Sequence, residues 1–67
     1  MKSATEILQR AGIVTTRQRV VLLDRLLRRT DHPDAERLLA EARDGMPSIS
    51  VDTVYRTLNL FAEAGVI

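Results

Sequence analysis

The chain has 67 residues, 45% of them hydrophobic, and only two are aromatic, Tyr55 and Phe61. This length suits one small domain with a thin core, because chains of this size bury only about 60% of their unfolded surface. The longest apolar run, Val20 to Leu23, is far shorter than the roughly 20 residues of a membrane helix. Residues 1–6 lack the apolar stretch of a secretory signal. We therefore expect a soluble, cytoplasmic domain of helices with an aliphatic core.

The net charge of +1 hides an unequal distribution along the chain. Residues 1–30 carry seven Lys and Arg against two acids, whereas residues 31–67 carry three Arg against seven acids, so the two parts have net charges of +5 and −4. A basic half can serve an anionic partner such as nucleic acid. A solvated, arginine-rich helix face explains the same pattern, so charge alone leaves both interpretations open.

Capping residues and glycines divide the chain into four predicted helices. Residues 3–6, Ser-Ala-Thr-Glu, have capping-box spacing, and Gly12 ends the first helix. The second helix begins at Thr15-Thr16, where Thr15 and Gln18 again have capping-box spacing, and ends near residues 30–33. Asp34 is the predicted N-cap of the third helix, which runs from about residue 35 to residue 43.

The fourth predicted helix runs from about Val51 to Ala64, with Ser50 as its cap and Gly65 as its left-handed stop. At about 100° per residue, its apolar face consists of Val51, Val54, Leu58, Phe61 and Ala62. The opposite face consists of Asp52, Arg56, Asn59 and Glu63, with Tyr55 at the border and Leu60 as an apolar exception. Amphipathic stripes joined by short links predict an all-α bundle with helix-turn-helix geometry.

The composition argues against an enzyme. There is one His, no Cys and no glycine-rich phosphate loop, and no nucleophile stands beside an evident base. The single histidine, His32, lies before Pro33 and between two aspartates. A metal site needs about four ligands, and spacing alone supplies no convincing set. We therefore expect this chain by itself to bind no cofactor.

The exposed face of the fourth helix carries the groups that a helix in the major groove needs. Arg56 can bond bidentately to guanine or clamp a phosphate, Asn59 can pair with adenine, and Tyr55 can press against a thymine methyl. Ser50 and Thr53 can bind phosphate at the helix N-terminus. In the alternative interpretation Tyr55 covers the edge of the core and Arg56 is merely solvated.

Two acidic residues on the same face weaken the DNA interpretation. Asp52 and Glu63 would repel phosphate. The alternative function is a small helical protein-interaction module without DNA binding, with Leu60 and the acidic half as its partner surface.

Several segments of the chain occur together in one known family. They are Ala11-Gly12-Ile13, the run from Thr16 to Leu23, His32-Pro33-Asp34-Ala35-Glu36, the run from Ile49 to Leu58, and Ala64-Gly65-Val66-Ile67. In this order and spacing they resemble the ferric uptake regulator family of bacterial metal-responsive transcription factors. The most specific part is Thr53-Val54-Tyr55-Arg56-Thr57-Leu58 followed by Ala64-Gly65.

The resemblance implies that residues 1–67 are the N-terminal winged-helix DNA-binding domain of such a regulator, with residues 51–64 as the recognition helix. The wing hairpin and the C-terminal dimerisation and metal domain would lie beyond Ile67. The full-length protein would be a homodimer that binds a double-stranded promoter operator, as a repressor, under the control of a divalent iron, zinc or manganese ion. Sensors of several metals, peroxide and haem share this half, so the resemblance predicts no particular signal or operator sequence.

The resemblance also assigns roles to individual residues. Tyr55 and Arg56 match the family residues that meet base edges and phosphates, and Thr53 matches a small residue at the same surface. Arg19 matches an arginine near the DNA backbone. His32 matches a histidine that joins ligands from the following domain in the regulatory metal site.

A minor-groove contact that many family members make has no matching basic residue in this chain. Many members carry a basic residue, which reaches the minor groove, just before the Thr of the second helix. This chain reads Ile13-Val14-Thr15 at that place, and Arg10 or Arg17 can substitute.

Overall fold

Four helices make up the regular structure of the chain in a computed structural model that describes residues 3–29 and 34–67. They are α1 (Ala4–Arg10), α2 (Arg17–Leu27), α3 (Ala35–Ala42) and α4 (Val51–Glu63). Within those two ranges there is no strand. The predicted all-α class and the number of helices are confirmed.

Each helix begins at a side-chain oxygen that accepts an amide of its own first turn. The four caps are Ser3, Thr16, Asp34 and Ser50. Three of these were predicted, but the capping-box spacing from Thr15 to Gln18 is not used. Thr16 accepts the Arg19 amide at 3.3 Å, whereas the Thr15 hydroxyl donates to the Ile13 carbonyl at 3.5 Å. Caps satisfy first-turn amides that have no partner inside the helix, so they determine where each helix starts.

Two helices end at glycines in the left-handed region, as the sequence predicted. Gly12 has a φ of 74° and Gly65 a φ of 73°. Behind each glycine the chain turns back, and the Ile13 and Val66 amides donate to the carbonyls five residues earlier at 3.0 and 2.8 Å. This is the Schellman arrangement, which favours glycine because a Cβ is strained at positive φ.

The core is aliphatic apart from one phenylalanine, and α2 is its centre. α2 packs against α1, α3 and α4, and α3 packs against α4. The buried apolar residues are Ala4, Leu8, Ile13, Leu22, Leu23, Ala35, Leu38, Ala42, Met46, Ile49, Val54 and Phe61. Met46 and Ile49 belong to the turn between α3 and α4, so this turn is anchored in the core. The α3–turn–α4 unit is therefore a helix-turn-helix seated on α2.

The predicted apolar face of α4 is right at Val54, Leu58 and Phe61 and wrong at Val51 and Ala62. Val54, Thr57 and Phe61 are buried, and Leu60 packs partly against the core. Val51 is 42% exposed, and Ala62 is also exposed, although both were assigned to the apolar face. The helix is rotated towards Thr57 because its contacts with α2 and α3 determine which stripe is covered. A threonine is tolerated at this position because, among the described residues, no buried side-chain oxygen lacks a hydrogen-bond partner.

An ion pair between Arg29 and Glu41 links the end of α2 to α3. None of the described helices combines the length and the apolarity that crossing a bilayer requires.

Replacement of the α3 cap tests how far local capping supports this small fold. The Asp34 carboxylate accepts the Arg37 amide at 2.8 Å. We expect Asp34→Ala to lower the free energy of unfolding by about 1 kcal/mol, and Asp34→Asn to leave it nearly unchanged, because asparagine caps as well as aspartate. Urea unfolding followed by circular dichroism measures both. An equal loss in the two variants would show that charge rather than capping matters here.

Candidate nucleic-acid interface

One stripe of α4 is turned away from the core along the whole helix. It consists of Asp52, Tyr55, Arg56, Asn59 and Glu63, all of them exposed. Their spacing of three and four residues puts them on one side, opposite Val54, Thr57 and Phe61. Because the opposite face is packed, the stripe is presented in a fixed orientation. The structure thus brings together three predicted DNA-contacting residues, Tyr55, Arg56 and Asn59.

The two central side chains of this stripe are accessible. Tyr55 is 52% exposed, so about half of its surface is open to an outside partner. The Arg56 side chain is 80% exposed and forms an ion pair with Asp52, with 3.0 Å between Nε and Oδ2. Such an exposed pair along one helix contributes only about 0.3–0.5 kcal/mol. Arg56 can therefore exchange this partner for another anion or acceptor at little cost.

Ser50 and Thr53 form the N-terminal edge of the stripe. The Ser50 hydroxyl oxygen accepts the Thr53 amide at 3.1 Å and lies 3.0 Å from the Thr53 hydroxyl oxygen. Each hydroxyl has one proton to donate. When one of them donates to the other, the second keeps its proton for an outside acceptor. The cap and an outward hydroxyl donor therefore coexist at this end of α4.

Three arginines are held by backbone carbonyls rather than by carboxylates. Arg19 donates from Nη1 to the Val14 carbonyl at 2.8 Å. Arg17 donates from Nη2 to the Gly45 carbonyl at 3.4 Å, and Arg43 donates from Nε to the Ile49 carbonyl at 3.3 Å. No carboxylate of residues 3–29 or 34–67 pairs with any of the three. No direct carboxylate partner within the described ranges thus neutralises their positive charges.

Two of the three carbonyl-bound arginines, Arg17 and Arg43, lie at the entry to α4. Gly45 and Ile49 both belong to the turn that leads to Ser50, so Arg17 and Arg43 border that turn. Arg43 was not among the predicted site residues, and no local signal marks it. The Arg17 contact spans 28 residues and is formed only when α2 packs beside the α3–α4 turn.

Other arginines of the chain are paired with carboxylates. Arg28 binds Asp24 at 3.0 Å, and Arg37 lies 3.8 Å from Glu41, which also pairs with Arg29. These charges are partly neutralised. In the first half of the chain, the carboxylate-bound Arg28 and Arg29 thus follow α2, whereas the carbonyl-bound Arg17 and Arg19 lie at its start.

The predicted metal ligand, His32, lies outside the described residues. The part of the chain that is described holds no group of three or more His, Cys, Asp or Glu side chains able to bind a metal ion. The described residues alone therefore do not form a metal site.

The weakness of the Asp52–Arg56 ion pair can be measured directly. We expect a double-mutant cycle with Asp52→Ala and Arg56→Ala to give a coupling of about 0.3–0.5 kcal/mol in the free energy of unfolding, since both groups are solvated. The coupling should shrink as salt rises. A coupling above about 1 kcal/mol in chemical unfolding would contradict the view that Arg56 is easily released.

Comparisons with known proteins point to one family. The model of the Ferric uptake regulator family matches residues 10–67. The Ferric uptake regulation protein of Brucella abortus biovar 1 (strain 9-941) is 45% identical over 60 residues, which cover 90% of this chain and 43% of that protein. The Peroxide operon regulator of Bacillus subtilis (strain 168) is 34% identical over 67 residues, 100% of this chain and 46% of that protein.

A third relative extends the same pattern. The Peroxide-responsive repressor PerR of Staphylococcus aureus (strain Mu50 / ATCC 700699) is 35% identical over 60 residues, which cover 90% of this chain and 40% of that protein. The chain thus spans less than half the length of these curated relatives. No solved structure gives a significant match. The resemblance noted in the sequence is confirmed, and the chain belongs to the Ferric uptake regulator family.

Proposed function

We propose that this chain is the DNA-contacting part of a metal-responsive transcriptional regulator and that α4 lies in the major groove of a promoter operator. The observation that carries the proposal is the exposed α4 stripe, which presents Tyr55, Arg56 and Asn59 on one side of a packed helix. An α-helix fits the width of the major groove. The 13 residues of α4 form a rod about 20 Å long, enough to cross several base pairs.

The chemistry of the stripe suits base edges. Arg56 can donate two hydrogen bonds to O6 and N7 of guanine, and Asn59 can bond to N6 and N7 of adenine. Tyr55 offers an apolar ring for a thymine methyl group. A bidentate contact discriminates between bases by about 1–3 kcal/mol, which exceeds the 0.3–0.5 kcal/mol held in the Asp52–Arg56 pair. The ion pair with Asp52 is therefore too weak to prevent Arg56 from contacting guanine.

Phosphate contacts would set the register of the helix in the groove. Arg19, Arg17 and Arg43 each use one donor on a carbonyl, and a guanidinium has five donors in all. The remaining donors of these arginines are available to phosphate oxygens. Arg17 and Arg43 thus supply cations beside the entry to α4, where a hydroxyl of Ser50 or Thr53 adds a donor, and Arg19 supplies a cation at the start of α2. Such contacts position a protein on the duplex without reading sequence.

We further propose that the chain is the N-terminal winged-helix domain of a longer, dimeric protein. This follows from the family and from the length of its relatives, of which the chain spans less than half. In a two-fold dimer, two copies of α4 would meet successive half-sites about one DNA turn apart. One relative is named a repressor and another a peroxide operon regulator. Repression is accordingly the direction of control that we propose.

The alternative function, a protein-interaction module without DNA binding, takes Leu60 and the acidic half as its partner surface. Leu60 packs partly against the core and so offers less apolar surface to a partner than the sequence suggested.

Loss of the central stripe residues tests the proposed function. In the intact, metal-loaded protein we expect Arg56→Ala and Tyr55→Ala each to weaken binding to the operator by about 1–3 kcal/mol. Each substitution should also relax the preference for one base at the base pair that the lost side chain contacts. Fluorescence anisotropy with the operator and with single-base variants measures both effects.

Arg37→Ala on α3 is the matched control for this test. Arg37 is also an exposed arginine paired four residues along its helix, with Glu41. The Arg37→Ala substitution removes the same charge as Arg56→Ala and should leave base preference unchanged. If Arg56→Ala and Tyr55→Ala retain wild-type affinity and preference while remaining folded, the recognition-helix assignment is wrong.

We propose His32 as one ligand of the regulatory metal, together with ligands outside the described residues. Family membership supports this role. We expect His32→Ala to weaken metal binding in a direct titration of the intact protein, while far-ultraviolet circular dichroism stays unchanged. An unaltered titration would remove His32 from the site.

A further inference from the structure

Asp52 is the acidic residue in the first turn of α4 and lies on the stripe that would face DNA. The fold does not need it as a cap, because Ser50 accepts the first-turn amide. Asp52 adds about a few tenths of a kcal/mol to the stability of the helix, through its ion pair with Arg56 and its interaction with the helix dipole. Against a DNA backbone, however, the same carboxylate repels the phosphates. Its position therefore weakens non-specific binding.

The geometry of the Asp52–Arg56 pair leaves the terminal Nη groups of Arg56 available to contact a base. The Asp52 carboxylate oxygen Oδ2 lies 3.0 Å from Nε of Arg56. This contact occupies the inner nitrogen and leaves both terminal Nη groups with their protons. Two parallel donors match O6 and N7 of guanine. They also match two phosphate oxygens, but a phosphate brought to Arg56 would come close to the Asp52 charge.

We propose that Asp52 is a specificity-determining residue, which makes Arg56 prefer guanine over phosphate. The proposal rests on the proposed function, namely that α4 enters the major groove. In a non-specific complex, Asp52 faces phosphates without compensation. In the specific complex, one oxygen stays on Arg56 while the other can accept a cytosine amino proton.

Specificity is the difference between the affinities for the correct and the wrong duplex. A group that weakens the wrong complex more than the correct one therefore increases specificity. Asp52 lowers affinity for every duplex but lowers affinity for random duplexes most. It acts as a positioning residue through Arg56, and its signature is a change in preference rather than a loss of binding.

The chain contains a close structural control for this effect. Asp24 of α2 and Arg28 at its C-cap form an ion pair of the same type, with Oδ2 and Nε 3.0 Å apart and the two residues four positions apart in sequence. Asp24→Asn changes the net charge by the same amount as Asp52→Asn. It removes a pair of α2 that is not part of the α4 stripe.

The experiment uses the intact, metal-loaded protein and two duplexes, one selected by the protein from a random library and one unselected. Binding is measured over a range of salt concentrations for Asp52→Asn, Asp52→Glu, Asp24→Asn and Arg56→Ala. We expect Asp52→Asn to bind the unselected duplex more tightly, with a salt slope steeper by up to about 0.9. Its preference for the selected duplex should fall roughly fivefold or more, the lower end of what one arginine–guanine contact supplies.

The other variants separate the possible outcomes. Asp52→Glu keeps a carboxylate four residues from Arg56 and should retain most of the preference, and Asp24→Asn should retain all of it. An unchanged or higher preference in Asp52→Asn overturns the proposal, as does an equal fall in Asp24→Asn. If Arg56→Ala leaves the preference intact, the proposed function itself has failed. A loss in Arg56→Ala with no effect in Asp52→Asn leaves the proposed function standing and removes only the role of Asp52.

Discussion

The packing of one stripe of α4 against α2 and α3 is the constraint on which the candidate interface depends. Phe61 and Val54 are completely buried, and Thr57 is nearly so. Burial of a large apolar side chain contributes about 1.5–3 kcal/mol, whereas an exposed ion pair contributes a few tenths. Packing therefore determines the rotation of α4, and the exposed charges adapt to it. Tyr55, Arg56 and Asn59 point outwards as a consequence of what is buried behind them.

The turn between α3 and α4 carries this constraint to the start of the candidate recognition helix. Met46 and Ile49 are buried, and the Met46 amide donates to the Ala42 carbonyl at 2.9 Å. Arg17 and Arg43 donate to carbonyls of the same turn. A turn tied at so many points holds Ser50 and the first turn of α4 in place. Fewer residues then have to become ordered when the protein binds, and this favours affinity.

The distribution of charge follows a division between two kinds of arginine. Arg28 and Arg37 are neutralised by carboxylates on their own helices. Arg17, Arg19 and Arg43 are held by carbonyls, which orient a guanidinium without cancelling its charge. A chain with a net charge of only +1 can in this way present a local positive surface. Local arrangement rather than net charge decides whether a neutral domain attracts a polyanion.

Much of the local structure could be read from the sequence because its causes are local. The caps Ser3, Asp34 and Ser50 and the stops Gly12 and Gly65 act within one helical turn, and their residue types are sufficient to indicate them. The string from Thr53 to Leu58 likewise identified the family and the candidate helix. These features need no knowledge of what the helices pack against.

The burial of Thr57, the covering of Leu60 and the exposure of Val51 depend on contacts between helices that are distant in sequence. The Arg17–Gly45 bond, across 28 residues, is of the same kind. No periodicity within α4 could indicate them, because a helix with apolar residues on several sides can be buried in more than one rotation. Only the surfaces of α2 and α3 select one, since they decide which rotation removes the most apolar area from water.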